Sequence, residues 1–166
     1  TGTTTTLENY NGNACGTSAT ATIREALQRS CNTAFAQLAG DLGEQAIRDQ
    51  ATAFGIGVRG QTIPMSVAPS TIGDIESTAA LQQSAIGQRD VALTPLQNAS
   101  IVATIANGGR MMAPYLVKEI QSQSLDTIDT TQPDMVGQAI IGSVAQTLTD
   151  LMVNNERSYG GRGQIT

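Results

Sequence analysis

The sequence contains no histidine and no tryptophan. Without imidazole there is no Ser-His-Asp scheme and no imidazole metal ligand. Nucleophilic chemistry would need another base, such as lysine, and the only lysine is Lys118. Aromatic residues make up 3% of the chain, so a core must come from Ala, Leu, Ile, Val and Met. Positive charge is sparse. Arginines are scattered singly and the net charge is −5, so there is neither the basic stripe nor the stacking aromatics of a nucleic-acid partner. No run reaches the length of about 18 apolar residues that marks a membrane span. A metal site lacks support with no His and only one pair of Cys. No cofactor is expected either: Gly55-Ile56-Gly57 lacks the strand–helix setting of a dinucleotide fingerprint and reads as turn.

The 166 residues are 40% hydrophobic, enough for one core and one domain at most. The opening residues do not read as a signal peptide. The polar "TGTTTTLENYNG" start and the "RSYGGRGQIT" end suggest a piece of something longer, a single partial domain over residues 1–166. The two cysteines, Cys15 and Cys31, are either two buried thiols or a disulfide, which needs an oxidising compartment.

Residues 1–21, rich in Thr, Asn and Gly, read as loop with room for one short turn. Thr22 and Glu25 form a capping-box pattern, predicting a helix from Thr22 to about Arg29. Further helices are expected over 33–41, stopped by Gly43, and over 44–54, stopped by Gly55. The glycines and prolines of "GIGVRGQTIPMSVAPSTIG" predict loop, with a short helix near 77–86 after it. In "TPLQNASIVATIANGG", Thr94 is an N-cap, Pro95 the first helical residue and Gln97 the partner of a capping box. Ile101, Val102 and Ile105 would be its apolar face, with Gly108 and Gly109 ending it. "RMMAPYLVKEI" suits a strand that residues 124–130 could pair with, Pro114 confining it to an edge or to the strand start. A last helix is expected over 137–153, burying Ile140, Ile141, Val144, Leu148, Leu151 and Met152 on one side. The fold class is therefore mainly α with a small β element.

Within "ALQRSCNTAFAQLAGDLG" apolar residues recur at helical spacing, yet Ser30, Cys31 and Asn32 interrupt them. On one continuous helix Ser30 and Asn32 would stand about 200° apart and could not serve one cleft. If the helix breaks and the segment is extended, both face one side and Cys31 faces the protein body. Asn32 then suits the N-cap of the next helix. Taken alone, Ser and Asn at a helix junction are most simply caps.

Their surroundings carry more information. "TIREALQRSCNTAFAQLAGDLG…AFGIG" resembles the second motif region of penicillin-binding proteins, serine transpeptidases of cell-wall synthesis. "SAIGQRDVALTPLQNASIVATIANGGRMMAPYLVKEI" resembles a downstream segment of the same family, in the same order, and "NYNGNACG" adds a weaker match. The likeness is nearest to the class B enzymes. It covers residues 22–57 and 84–120. It implies the helical part of an α+β penicillin-binding protein/β-lactamase-like fold. The family has three motifs, S-x-x-K, S-x-N or S-D-N, and K-T-G, and only the second is present. Lys118 has Tyr115 three residues before it, and K-T-G does not occur.

The resemblance implies acyl transfer through a serine nucleophile, with a lysine as base. Ser30 would relay a proton and Asn32 would hold the substrate amide. Gln88 and Thr94 lie in matching text and read as structural. Peptidoglycan stem peptides and β-lactams would be bound through the longer parent, with cell-division or elongation machinery as the partners the family admits. No membrane contact by this segment is implied; the parent would act outside the cytoplasm, anchored to the cell membrane. That compartment favours a Cys15–Cys31 disulfide behind the S-x-N turn. Two other functions fit less of the text: a D,D-carboxypeptidase or β-lactamase-like hydrolase of the same fold, and a non-catalytic helical interaction module.

Overall fold

The computed structural model describes residues 6–17, 20–58 and 63–158. Parts of the expected loops (1–5, 18–19, 59–62) and the chain end from 159 lie outside the described residues. In chain order there is a 3-10 turn (Tyr10–Gly12), then α1 (Ile23–Gln28), α2 (Asn32–Leu42), α3 (Glu44–Ala53), α4 (Thr78–Ser84) and α5 (Pro95–Ala106). Strands β1 (Arg110–Met112), β2 (Glu119–Gln121), β3 (Thr127–Thr130) and β4 (Met135–Gln138) come next, and α6 (Gly142–Ser158) is last. Helix dominates, as the sequence predicts. The chain divides into two compact units, one from residues 1–49, 72–91 and 147–166, the other from 50–71 and 92–146.

In the first unit α2 packs on α4. The buried residues of these two helices are mostly small, Ala36, Ala39, Ala80 and Ser84, with Leu81. Such short side chains let helix backbones approach closely. Gly40 continues the pattern: a methyl there would stand 3.1 Å from the Gln82 side-chain nitrogen. Among the described residues the buried apolar set is Ala, Leu, Met and Cys31, so Ala, Leu and Met stand in the core as expected, while the expected Ile and Val are not among the buried residues. Several branched residues, Ile23, Val102 and Ile141 among them, are instead exposed.

The second unit is organised by polar anchors. Thr94 caps α5 by accepting from the Gln97 backbone N–H, as expected. The reciprocal half of the box is absent: the buried Gln97 side chain instead donates to the Phe54 carbonyl at 2.7 Å. The amphipathic reading of α5 also needs correction, because Val102 is 51% exposed while Gln97 and Thr104 are buried. The Thr104 hydroxyl donates to the Ser100 carbonyl one turn back at 2.7 Å, which satisfies it in an apolar setting.

The expected single β element is two antiparallel pairs. β2 pairs with β3, as predicted for that stretch. β1 pairs instead with β4, Met111 opposite Gly137. The last helix consequently starts at Gly142, because 135–138 is strand. Its predicted apolar side is only partly buried: Leu151 is inside, but Ile141 is 65% exposed and Val144 and Met152 are also exposed. Alternation in "MVGQ" is too short to signal a strand by itself, and the helical period of the residues after it masked it.

Gly109 enables the β1–β4 corner. It has φ +83°, its carbonyl accepts from the Ala139 N–H at 2.9 Å, and a methyl on it would collide with the Ile140 carbonyl oxygen. Gly109→Ala should therefore destabilise by more than the ~1–2 kcal/mol of the left-handed backbone alone, read as a lowered denaturation midpoint. The α1 cap gives a pH prediction. The Thr22 backbone N–H, then the Thr22 hydroxyl, hydrogen-bond the Glu25 carboxylate and hold its pKa below the ordinary value. A lowered pKa means that the cap's contribution is complete at neutral pH. It fades only once the pH falls below the unfolded value of about 4.3 and through the lowered folded one. NMR titration of the Glu25 carboxyl should give a midpoint below that value, and Thr22→Ala should raise it.

Candidate active site

The S-x-N stretch lies between α1 and α2, where the helix does break. α1 starts with a complete capping box at Thr22 and Glu25. It ends in a Schellman motif: the Ser30 N–H bonds to the Leu27 carbonyl at 3.1 Å, and the Cys31 N–H to the Ala26 carbonyl at 2.8 Å. In this motif the residue carrying the left-handed conformation is usually glycine. Here it is Ser30, with φ +50°.

The expected geometry is thus corrected in its means and kept in its outcome. Only Cys31 is extended (φ −80°, ψ 104°); Ser30 is left-handed and Asn32 is already helical. This sequence of conformations still exposes Ser30, buries Cys31 to 2% and leaves Asn32 half-buried. Ser30 and Asn32 line one open groove of about 1040 Å³, with Tyr10, Asn13, Gln28 and Arg29 among its other walls. Among the described residues the Ser30 hydroxyl has no hydrogen-bond partner, and it is open to that groove.

The expected N-cap role of Asn32 is also corrected. Cys31 is the N-cap of α2 and makes no side-chain cap bond, because its sulfur is joined to Cys15 in a disulfide across 16 residues, Cα–Cα 5.6 Å. Asn32 is the first helical residue, and its Nδ2 donates to the Glu8 carbonyl at 3.2 Å. The carboxamide retains its second N–H and its Oδ1.

The cap that neither Cys31 nor Asn32 provides comes from 24 residues upstream. Asn9 Oδ1 accepts from the Thr33 backbone N–H at 2.9 Å and from the Thr33 hydroxyl at 3.1 Å. Asn9 Nδ2 donates to the Asn13 carbonyl at 2.9 Å and to Cys15 Sγ at 3.2 Å. Residues 8–15 are therefore fastened to residues 31–33 at three successive positions: Glu8 to Asn32, Asn9 to Thr33, Cys15 to Cys31. Sequence reasoning did not find Asn9. An asparagine in a turn-rich stretch has no local feature that marks it as the cap of a distant helix.

Gln88 is exposed in the turn after α4, and Thr94 is the cap described above. Both readings as structural residues fit. Lys118 lies just before the exposed β2.

The family model for the penicillin-binding protein transpeptidase domain matches residues 1–165. Peptidoglycan D,D-transpeptidase PbpA of Mycolicibacterium smegmatis is 49% identical over 162 residues, 98% of this chain and 33% of that protein. The chain thus spans about a third of the length of the curated relatives it matches. Among solved structures, penicillin-binding protein A of Mycobacterium tuberculosis as its penicillin G acyl-enzyme complex superposes with a TM-score of 0.89 at 48% identity, over 95% of this chain and 36% of that one. The ceftriaxone acyl-enzyme complex of the same protein gives 0.92 over 99% of this chain and 37% of that one. The chain belongs to the penicillin-binding protein transpeptidase domain family.

Proposed function

We propose that this chain is part of the transpeptidase domain of a peptidoglycan D,D-transpeptidase that acts outside the cytoplasm, anchored to the cell membrane, and supplies that domain's S-x-N motif. In the proposed reaction a serine hydroxyl in another part of the parent attacks the penultimate D-Ala carbonyl of a stem peptide. The C–N bond to the terminal D-Ala breaks, and that residue leaves as an amine after taking up a proton. The acyl-serine ester is then attacked by an amine of a second stem peptide, which forms the cross-link and frees the serine. β-Lactams acylate the same serine.

Ser30 and Asn32 act on the proton and on the substrate. The Ser30 hydroxyl passes a proton between the catalytic lysine of the parent and the leaving nitrogen. The Asn32 carboxamide holds the substrate amide with its remaining N–H and carbonyl, offering a donor and an acceptor without a net charge. The observation that carries this reading is the Ser30 backbone. A serine occupies the left-handed position where glycine would be unstrained, and its hydroxyl opens on a groove with no partner among the described residues. Strain held in this way is common where a side chain is needed for chemistry. The Cys15–Cys31 disulfide supports an oxidising compartment.

In the full-length parent, Ser30→Ala should slow acylation by a β-lactam by about 10²–10⁴-fold, with an unchanged circular dichroism spectrum; acylation at the parental rate would reduce Ser30 to a helix stop. The 166-residue chain alone, which carries neither S-x-x-K nor K-T-G, should take up no fluorescent penicillin. A covalent adduct on any of its serines, seen by mass spectrometry, would contradict the proposed division of labour.

A further inference from the structure

We infer that Asn9 is a positioning residue for acylation: its carboxamide caps α2 from outside the helix and so fixes the direction in which Asn32 is presented. The inference rests on the reading of Ser30 and Asn32 given above. A helix N-terminus leaves its first N–H groups without intrahelical partners, and the side chain of the N-cap residue ordinarily accepts one of them. At α2 that side chain is the Cys31 sulfur, which is tied to Cys15 and makes no cap bond. Asn9 Oδ1 takes over this task at the second helical residue, receiving both the Thr33 N–H and the Thr33 hydroxyl.

Asn9 is itself oriented by its other end, Nδ2 being held by the Asn13 carbonyl and Cys15 Sγ. The carboxamide is thus engaged at both oxygen and nitrogen, so its direction is set. Both residues flanking the Asn9–Thr33 bond are also joined to each other, through Asn32 Nδ2 and the Glu8 carbonyl. The cap and the candidate site share one short length of backbone. Loss of the Asn9 acceptor leaves the Thr33 N–H without its cap and removes one of the three ties that hold the first turn of α2, which starts at Asn32. Asn9 also lines the groove that Ser30 and Asn32 open into.

The test uses the full-length protein and compares rate with amplitude during acylation by a fluorescent penicillin. Asn9→Ala should lower the first-order acylation rate of the sites that do react by about 10–100-fold, as small misplacements of catalytic groups do. Asn9→Asp keeps an acceptor for Thr33 but loses the Nδ2 donors to the Asn13 carbonyl and Cys15 Sγ, and should recover only part of that rate. In an Asn32→Ala background, Asn9→Ala should add little. A purely structural role would lower the amplitude and leave the rate of the remaining sites at the parental value; that result overturns the inference. Should Asn9→Ala yield no labelled protein, Thr33→Val removes the hydroxyl half of the bracket. Slower acylation there supports the inference, and a parental rate overturns it. If Ser30→Ala and Asn32→Ala themselves acylate at the parental rate, the functional reading fails, which is a different outcome from loss of the Asn9 effect alone.

Discussion

A helix that stops on a residue other than glycine needs something besides backbone preference to hold its last turn, and the junction after α1 depends on that. Ser30 in the left-handed region costs about 1–2 kcal/mol relative to an unstrained residue. Two backbone bonds of the Schellman motif hold it locally. Residues 8–15 hold the start of α2 on its other side. Each neutral hydrogen bond of the Asn9 bracket contributes about 0.5–1.5 kcal/mol net. A disulfide over a loop of this size restrains the unfolded chain by about 3 kcal/mol in the entropic account. These attachments exceed the strain they oppose, so the turn is a defined structure rather than a fraying helix end.

The direction of each side chain is set by three successive conformations. A left-handed residue, an extended one and a helical one turn Ser30 outward, Cys31 inward and Asn32 back toward the groove. Cys31 is the hinge of this arrangement. Its side chain is buried, its disulfide anchors the inner side, and the capping function it lacks passes to Asn9. The chemistry proposed for Ser30 and Asn32 needs both groups on one opening without their own hydrogen bonds satisfied elsewhere. The free Ser30 hydroxyl and the half-engaged Asn32 carboxamide meet that need among the described residues.

Helix starts and stops were legible in the sequence where their signals are local. The Thr22–Glu25 box, Gly43 and the Thr94-Pro95 start each act within a turn of the residues they specify, and each stands where predicted. The family was legible from the text around Ser30 and Asn32 and from the downstream segment ending near 120. What failed depends on distance. Gln97 has the residue type of a capping-box partner, but the Phe54 carbonyl, 43 residues away, takes its side chain. Asn32 has the residue type of an N-cap, but Cys31 holds that position and Asn9 supplies the bond. The strand at Met135–Gln138 was hidden by helical spacing just after it, and its pairing with β1 is fixed by Gly109, whose role shows only once Ile140 is beside it. The left-handed serine was not legible at all, since serine carries no preference for that conformation and glycine is absent there.

The central claim is that Ser30 is kept for its hydroxyl at the expense of backbone comfort. Replacing it with glycine in the full-length protein separates the two, because glycine fits the turn better and brings no hydroxyl. The account predicts that Ser30→Gly has a higher unfolding midpoint, by about 1 kcal/mol in stability, and acylates with β-lactam far more slowly than the parent. A Ser30→Gly protein that acylates at the parental rate, or that is less stable than the parent, would contradict it.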